Sequence, residues 1–237
     1  MKNIFLFIAL FCLVGVSRLS AKDIKRNHKN HPPRSIHSAA NPVYDSLSLD
    51  QFGLSRKVFE FALKGWQQLK AAGRILNENI ISIVDFSQPS NKKRLYIIDL
   101  ANAKLLFNTY VAHGRHSGTL VPTKFSNRPR SLESSVGFYV TSDTYMGSNG
   151  YSLKLSGLES GINNNAAKRE IVVHGADYVS EQYISANGYL GRSWGCPAVP
   201  LDESRDIIDA IKNGSCLFIY SPQNSYLSRS RILNRKA

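Results

Sequence analysis

Apolar and polar positions along this chain follow two rhythms. Val58, Phe61, Ala62, Trp66 and Leu69 share one face of a helix by their spacing, with Ser55 suited to cap its start and Gly73 to stop it. Beyond Gly73 the pattern changes to short β-branched or aromatic runs separated by Gly, Pro, Asn and Ser. These are Ile80 to Phe86, Leu95 to Leu100, Leu105 to Ala112, Val136 to Val140, Ser152 to Leu155, Ile171 to Val173 and Cys216 to Tyr220. Two helices interrupt them, a short one starting after Ser180 and stopped by Gly188, and one from about Asp202 to Lys212. The pattern predicts a mainly β fold with peripheral helices.

The amino terminus reads differently. Lys2 and the unbroken apolar stretch from Ile4 to Val16 have the layout of a secretory signal over residues 1–21. Residues 22–46 are polar, carry Pro32-Pro33 and show no periodicity, which predicts a flexible linker. The remaining divisions are an N-terminal helical segment packed on the core (47–76), the main domain (77–222) and a basic tail (223–237) with Arg229, Arg231, Arg235 and Lys236. The expectation is an exported protein of the periplasm or cell envelope.

Charge and cysteine content sharpen this. Thirty Lys and Arg against seventeen Asp and Glu give a formal charge of +13, which favours contact with an anionic wall or membrane surface, or serves solubility alone. No helix-turn-helix, zinc-finger or aromatic RNA-binding pattern accompanies it, so nucleic acid is not an expected partner. Of three cysteines, Cys12 falls in the signal, leaving Cys196 and Cys216; in an oxidising compartment these could pair as a disulfide or remain chemically distinct.

Ile171-Val172-Val173-His174-Gly175 reads as a buried strand that delivers an imidazole to the rim of a sheet. Twenty-two positions after His174 comes Cys196, within Gly191-Arg192-Ser193-Trp194-Gly195-Cys196-Pro197. Glycine before the cysteine lets backbone approach a ligand closely, and the proline after it keeps the thiol out of a helix. A thiol with a histidine in reach can form the thiolate that attacks carbonyls. The peptide N–H groups of Gly195 and Cys196 are suited to the resulting oxyanion.

His174-Gly175 followed by Ser193-x-Gly195-Cys196 resembles the signature of the L,D-transpeptidase catalytic domain. The wider text VAHGRHSG, KFSNRP, SSVGFY, GYSLKLSGLE, VVHGADYVS and GRSWGCPAV is similar to the murein (YkuD-like) branch of that family, from about Leu54 to Tyr220. The resemblance implies a β-sandwich catalytic domain and a cofactor-free, metal-free thiol mechanism. Cys196 would be the nucleophile and His174 the base, with Gly175, Ser193 and Gly195 completing the catalytic motif, and peptidoglycan stem peptides as partners. Trp194 stands where the common signature has a second histidine, and Pro197 where a basic or amide residue is usual; Arg192 is the candidate for the displaced cation. Substrate contacts are expected from Arg192, Trp194, His113 and Ser117, and from Ser134-Ser135, which resemble a substrate-side turn of other members. The same scaffold would also serve an L,D-carboxypeptidase or endopeptidase, and a non-catalytic wall-binding protein with a Cys196–Cys216 disulfide is the alternative from another class.

Overall fold

The apolar runs become strands of one sheet in a computed structural model that describes residues 42–235. The strands are β1 (Ile80–Asp85), β2 (Leu95–Asp99), β3 (Lys104–Thr109), β4 (Gly137–Gly147), β5 (Gly150–Gly157), β6 (Val172–Ala176), β7 (Ala198–Pro200) and β8 (Cys216–Tyr220). Their order is β3-β2-β1-β8-β4-β5-β6-β7. The β1–β8 and β6–β7 pairs are parallel and the others antiparallel. The two ends of the sheet meet, because Ala112, just beyond β3, bridges Ala198 in β7, and Gly114 bridges Ser193. The expected β-rich catalytic fold is therefore one mixed sheet that nearly closes, which leaves few unpaired edges.

Among the described residues six α-helices surround it: α1 (Pro42–Ser46), α2 (Arg56–Ala71), α3 (Glu181–Asn187), α4 (Ser204–Ile211), α5 (Asn224–Arg229) and α6 (Arg231–Asn234). In α2 the Ser55 hydroxyl accepts the Val58 N–H at 3.3 Å, as an N-cap should. Val58, Phe59, Ala62, Gly65 and Leu69 form its buried face. Gly65 lies so close to the sheet that a Cβ there would fall 2.0 Å from the Phe138 ring, which itself stacks on Phe218 with centroids 4.2 Å apart. Strands β1 and β8 are buried throughout, which explains their unbroken apolar runs. Among the described residues no helix is long and apolar enough to cross a membrane.

Several boundaries differ from the pattern reading. Residues 42–46, read as the end of a linker, form α1, because Tyr44 is buried against Phe59 and donates to the Leu54 carbonyl at 2.6 Å. The segment read as a basic tail contains α5 and α6. There Tyr226 and Leu233 are buried, and the hydroxyls of Tyr226 and Ser230 donate to the buried Glu159 carboxylate, which also takes the Phe138 N–H at 2.9 Å. Strands β4 and β5 run well past the expected Val140 and Ser152 and meet at Gly147 and Gly150. The signal, most of the linker and residues 236–237 lie outside the described residues.

Candidate active site

Strand β6 supplies the histidine and the loop before β7 the cysteine. The parallel register sets His174 beside Ala198, so Cys196, two residues earlier, lies alongside Val172. Its sulfur takes the Val172 N–H at 3.5 Å, and its thiol donates to the Glu170 carbonyl at 3.6 Å. His174 and Val172 are two residues apart on the strand, roughly 6–7 Å, and on the same side. Both His174 and Cys196 line one cleft of about 390 Å³, with Arg169, Tyr178, Arg192, Ser193 and Trp194 among its other walls. In this conformation no hydrogen bond joins Sγ to the imidazole.

The state of each group follows from its surroundings. His174 Nδ1 is 2.9 Å from the Gly175 carbonyl oxygen. Only a protonated Nδ1 can donate to that oxygen, so in the neutral ring Nε2 is the basic nitrogen. Burial holds the His174 pKa below the ordinary histidine value, with the Gly175 carbonyl opposing in part. Burial likewise pushes the Cys196 thiol up, while the Val172 N–H and the Arg169 charge pull it down. The resting pair is consequently thiol and neutral imidazole at neutral pH.

The loop itself is held by its own serine. Ser193 Oγ accepts the Gly195 N–H at 3.0 Å and donates to the Cys196 carbonyl at 2.6 Å. Of the two N–H groups expected to face an oxyanion, that of Gly195 is therefore engaged, and that of Cys196 has no protein partner among the described residues. Gly195 has φ +126°, and a Cβ would meet the Glu133 carbonyl oxygen at 2.7 Å, so this turn requires glycine. Gly175 packs on α4, where a Cβ would come 2.6 Å from Ser204 Oγ.

Of the expected substrate contacts, Arg192 and Trp194 do border the cleft. Trp194 is 73% exposed at its rim, and the Arg192 guanidinium lies over Tyr189. His113, Ser117, Ser134 and Ser135, also expected as substrate contacts, are all buried. His113 Nδ1 accepts from Arg94 at 2.8 Å, and its Nε2 donates to the Gly118 carbonyl at 3.1 Å. Burial, then the Arg94 charge, lower its pKa to about 3. Ser117 Oγ accepts the Ser134 N–H at 2.8 Å, and Ser134 Oγ donates to the Gly195 carbonyl at 3.2 Å. Ser135 Oγ pairs with the Tyr139 hydroxyl at 2.7 Å. Of these side chains, Ser134 holds the cysteine loop directly through the Gly195 carbonyl, while the others bond to neighbouring segments.

Sequence reasoning missed Arg169. It is half-buried, and its guanidinium donates to the Ser126 and Glu133 carbonyls, both at 2.5 Å, and to the hydroxyls of Ser131 and Ser135. No carboxylate pairs with it among the described residues. The disulfide alternative is overturned: Cys196 and Cys216 are both free thiols. Cys216 is buried in β8, which β4, β5 and β6 separate from β7.

Comparison with known proteins adds a family. Residues 50–220 match the family described as the L,D-transpeptidase catalytic domain. No curated protein matches the chain. Among solved structures, it is similar to an L,D-transpeptidase from Mycobacterium smegmatis at 12% identity, over 60% of this chain and 59% of that one, with a TM-score of 0.38. L,D-transpeptidase 1 of Mycobacterium tuberculosis aligns at 14% identity over 60% and 62% of the two chains, with a TM-score of 0.33. The C442S mutant of the Enterococcus faecium L,D-transpeptidase aligns at 12% identity over 60% and 50%, with a TM-score of 0.36. The matched region thus spans less than two thirds of each of these chains.

Proposed function

The chain belongs to the L,D-transpeptidase catalytic domain family, and from that premise we propose that Cys196 and His174 carry out acyl transfer on peptidoglycan stem peptides. The observation that carries this reading is that Cys196 and His174 share one cleft, with the imidazole proton assigned to Nδ1 by the Gly175 carbonyl. In the first step the Cys196 thiol leaves the Glu170 carbonyl and turns toward Nε2, which takes its proton as sulfur attacks the carbonyl of the third stem residue. The Cys196 N–H stabilises the oxyanion. The C–N bond to the terminal D-alanine then breaks, its amine receives the proton from His174, and a thioester remains. An amine from another stem completes transpeptidation; water in its place gives hydrolysis.

Gly175, Ser193 and Gly195 act in this reading as positioning residues, fixing the imidazole tautomer and the thiol-bearing turn. Arg192 and Arg169 give the cleft two cations, which suits a donor peptide that ends in a carboxylate. The reading also needs the protein to meet its substrate outside the cytoplasmic membrane, in line with the signal expected over residues 1–21; cell fractionation checks this.

The direct test is mass spectrometry of stem tetrapeptides and protein after incubation. Release of D-alanine together with an acyl adduct on the peptide containing Cys196, absent in Cys196→Ala, is the expected result. Turnover that survives Cys196→Ala would overturn it.

A further inference from the structure

A hollow of about 490 Å³ lies between the end of α2, the turn after β5 and α6. None of its walls belongs to the cleft that holds Cys196 and His174. Leu69, Leu158 and Ile232 form an apolar floor, the first buried and the other two partly so. Around that floor stand three exposed arginines, Arg74, Arg231 and Arg235.

Local structure brings the three cations together. Arg231 and Arg235 are four residues apart across α6, where the Arg235 N–H donates to the Arg231 carbonyl at 3.1 Å, so their side chains rise from one face. Lys64 Nζ donates to the Leu233 carbonyl at 2.6 Å and Gln68 Nε2 to that of Arg235 at 3.1 Å, which tie α6 to α2. The last turn of α2 closes with the N–H groups of Ala72, Gly73 and Arg74 on the carbonyls of Gln68, Lys70 and Leu69. Gly73, at φ +62°, then turns the chain and delivers Arg74 to the hollow. The same closure occupies carbonyls whose partial negative charge would oppose an anion.

Among the described residues none of the three guanidiniums forms an ion pair or donates a side-chain hydrogen bond. The Glu78 carboxylate, four residues beyond Arg74, is taken by Lys70 at 2.8 Å. Three like charges around one hollow repel one another, and at a spacing of four they cost α6 stability rather than adding to it. An anion seated there turns that repulsion into attraction. Guanidinium presents a planar fork that matches phosphate oxygens, and the floor calls for hydrocarbon beside the charge. A soluble wall polymer would use the cations and leave the floor bare. The room is that of roughly sixteen waters, enough for a glycerophosphate head and the first methylenes of a chain but too little for a whole lipid, whose remainder stays in its bilayer. Leu76, 84% exposed, stands within about 7 Å of Arg74 along the chain and adds an apolar side chain near the arginines.

We infer that this hollow docks the domain on a membrane by taking the phosphate and upper chain of an anionic phospholipid. The inference is independent of the acyl-transfer reading, and because the two sites share no wall, docking leaves the cleft free.

The test is co-sedimentation of the full chain with vesicles of phosphatidylcholine alone, or of phosphatidylcholine and phosphatidylglycerol in equal parts. Every variant carries the apolar stretch of residues 4–16, so its contribution cancels. Wild type should partition onto the anionic vesicles about tenfold more strongly or better. Arg235→Gln should lose about fivefold, the scale for one cation at such a surface, and the triple variant Arg74→Gln/Arg231→Gln/Arg235→Gln most of the preference. Lys92→Gln/Lys104→Gln/Lys124→Gln removes the same charge from exposed positions outside the hollow and should change binding much less. Circular dichroism checks folding, and the single variant decides should the triple one unfold. Equal partition onto the two kinds of vesicle, or equal losses in the two triple variants, would overturn the inference. Glycerol phosphate and dihexanoyl-phosphatidylglycerol, added as competitors, separate soluble phosphate from lipid. Displacement by the short-chain lipid at far lower concentration supports the site; equal displacement by both shows an idle floor and rejects it. Nothing here is read from turnover, so the result stands whether or not Cys196 forms an acyl adduct.

Discussion

Arg94 Nη2 lies 2.8 Å from His113 Nδ1, and both side chains are completely buried. The arginine also donates to the Val111 carbonyl through Nε and Nη2 and to the Gln88 carbonyl through Nη1, and it covers the Phe86 ring at 4.8 Å. A neutral imidazole can accept from such a guanidinium; an imidazolium cannot.

This pair predicts how stability depends on pH. The folded His113 pKa, about 3, is below its unfolded value, so the unfolded chain takes up a proton first as pH falls. Stability that is fully present above pH 6.5 or so is then lost progressively down to the folded value. By pH 5 the loss from this one group amounts to about 2 kcal/mol. His174, whose folded pKa is also lowered by burial, adds in the same direction. Urea denaturation at pH 7 and pH 5 should show the difference, and His113→Gln should flatten it, at some cost in stability at pH 7. An unchanged pH slope in His113→Gln would contradict the assignment.

The same reasoning applies to Cys196. With its thiol raised by burial and His174 lowered, no thiolate–imidazolium pair exists at rest, so iodoacetamide alkylation should still be accelerating above pH 8. Arg169 opposes the effect of burial. Arg169→Gln should move the alkylation midpoint to higher pH, and it should cost roughly 1–3 kcal/mol because the carbonyls it bridges lose their donor. Arg169→Lys should keep the midpoint near wild type while sharing much of the destabilisation. A plateau in the alkylation rate by pH 7 in wild type would show the ion pair to be preformed.

The loop that presents the thiol should be intolerant at one position and adjustable at the next. Gly195→Ala places a Cβ against the Glu133 carbonyl at a positive φ, and both the acyl adduct and thermal stability should suffer. Ser193→Ala removes only the internal hydrogen bonds to Gly195 and Cys196. It should cost about 1 kcal/mol in stability but slow Cys196 acylation by a larger factor, as the turn loses its fixed shape. Acylation kinetics followed by intact-protein mass separate the two effects. A Ser193→Ala enzyme with wild-type acylation would mean that Gly195 alone shapes the turn.

What the sequence made legible was local. His174 and Cys196 stand in short motifs whose neighbours, an apolar strand before one and glycine and proline around the other, report their own geometry. Ser55 and Gly188 likewise announce helix ends without reference to the rest of the chain. The long hairpin β4–β5 escaped because its outer half leaves the core and carries Ser, Asp and Thr, so alternation of apolar residues stops although pairing continues. His113 and Ser117 were expected as substrate contacts because they follow a strand, and Ser134 and Ser135 because they resemble a substrate-side turn. The burial of His113 against Arg94, and the closure of the sheet at Ala112 beside it, depend on segments distant in sequence. Arg169 and Glu170 carry charge without periodicity, and only the fold brings them to the thiol.

Cys196 and Cys216 are both free, yet their environments set opposite expectations. Cys216 is wholly buried at the start of β8, paired in register with Ile81 and Val140, and burial alone raises its thiol far above the ordinary range. It behaves as a small hydrophobe. Cys216→Ala should therefore keep acyl transfer and lose on the order of 1 kcal/mol, while Cys216→Ser should lose more, since a hydroxyl is buried in its place. Cys196 is only partly buried, so Cys196→Ala should leave the unfolding transition almost where it was and abolish the thioester. A thiol reagent applied to the native protein, with modified peptides mapped by mass spectrometry, should label position 196 and leave position 216 untouched until denaturant is added. Labelling of Cys216 in the native state, or acyl transfer that persists in Cys196→Ala, would place the reactive thiol elsewhere.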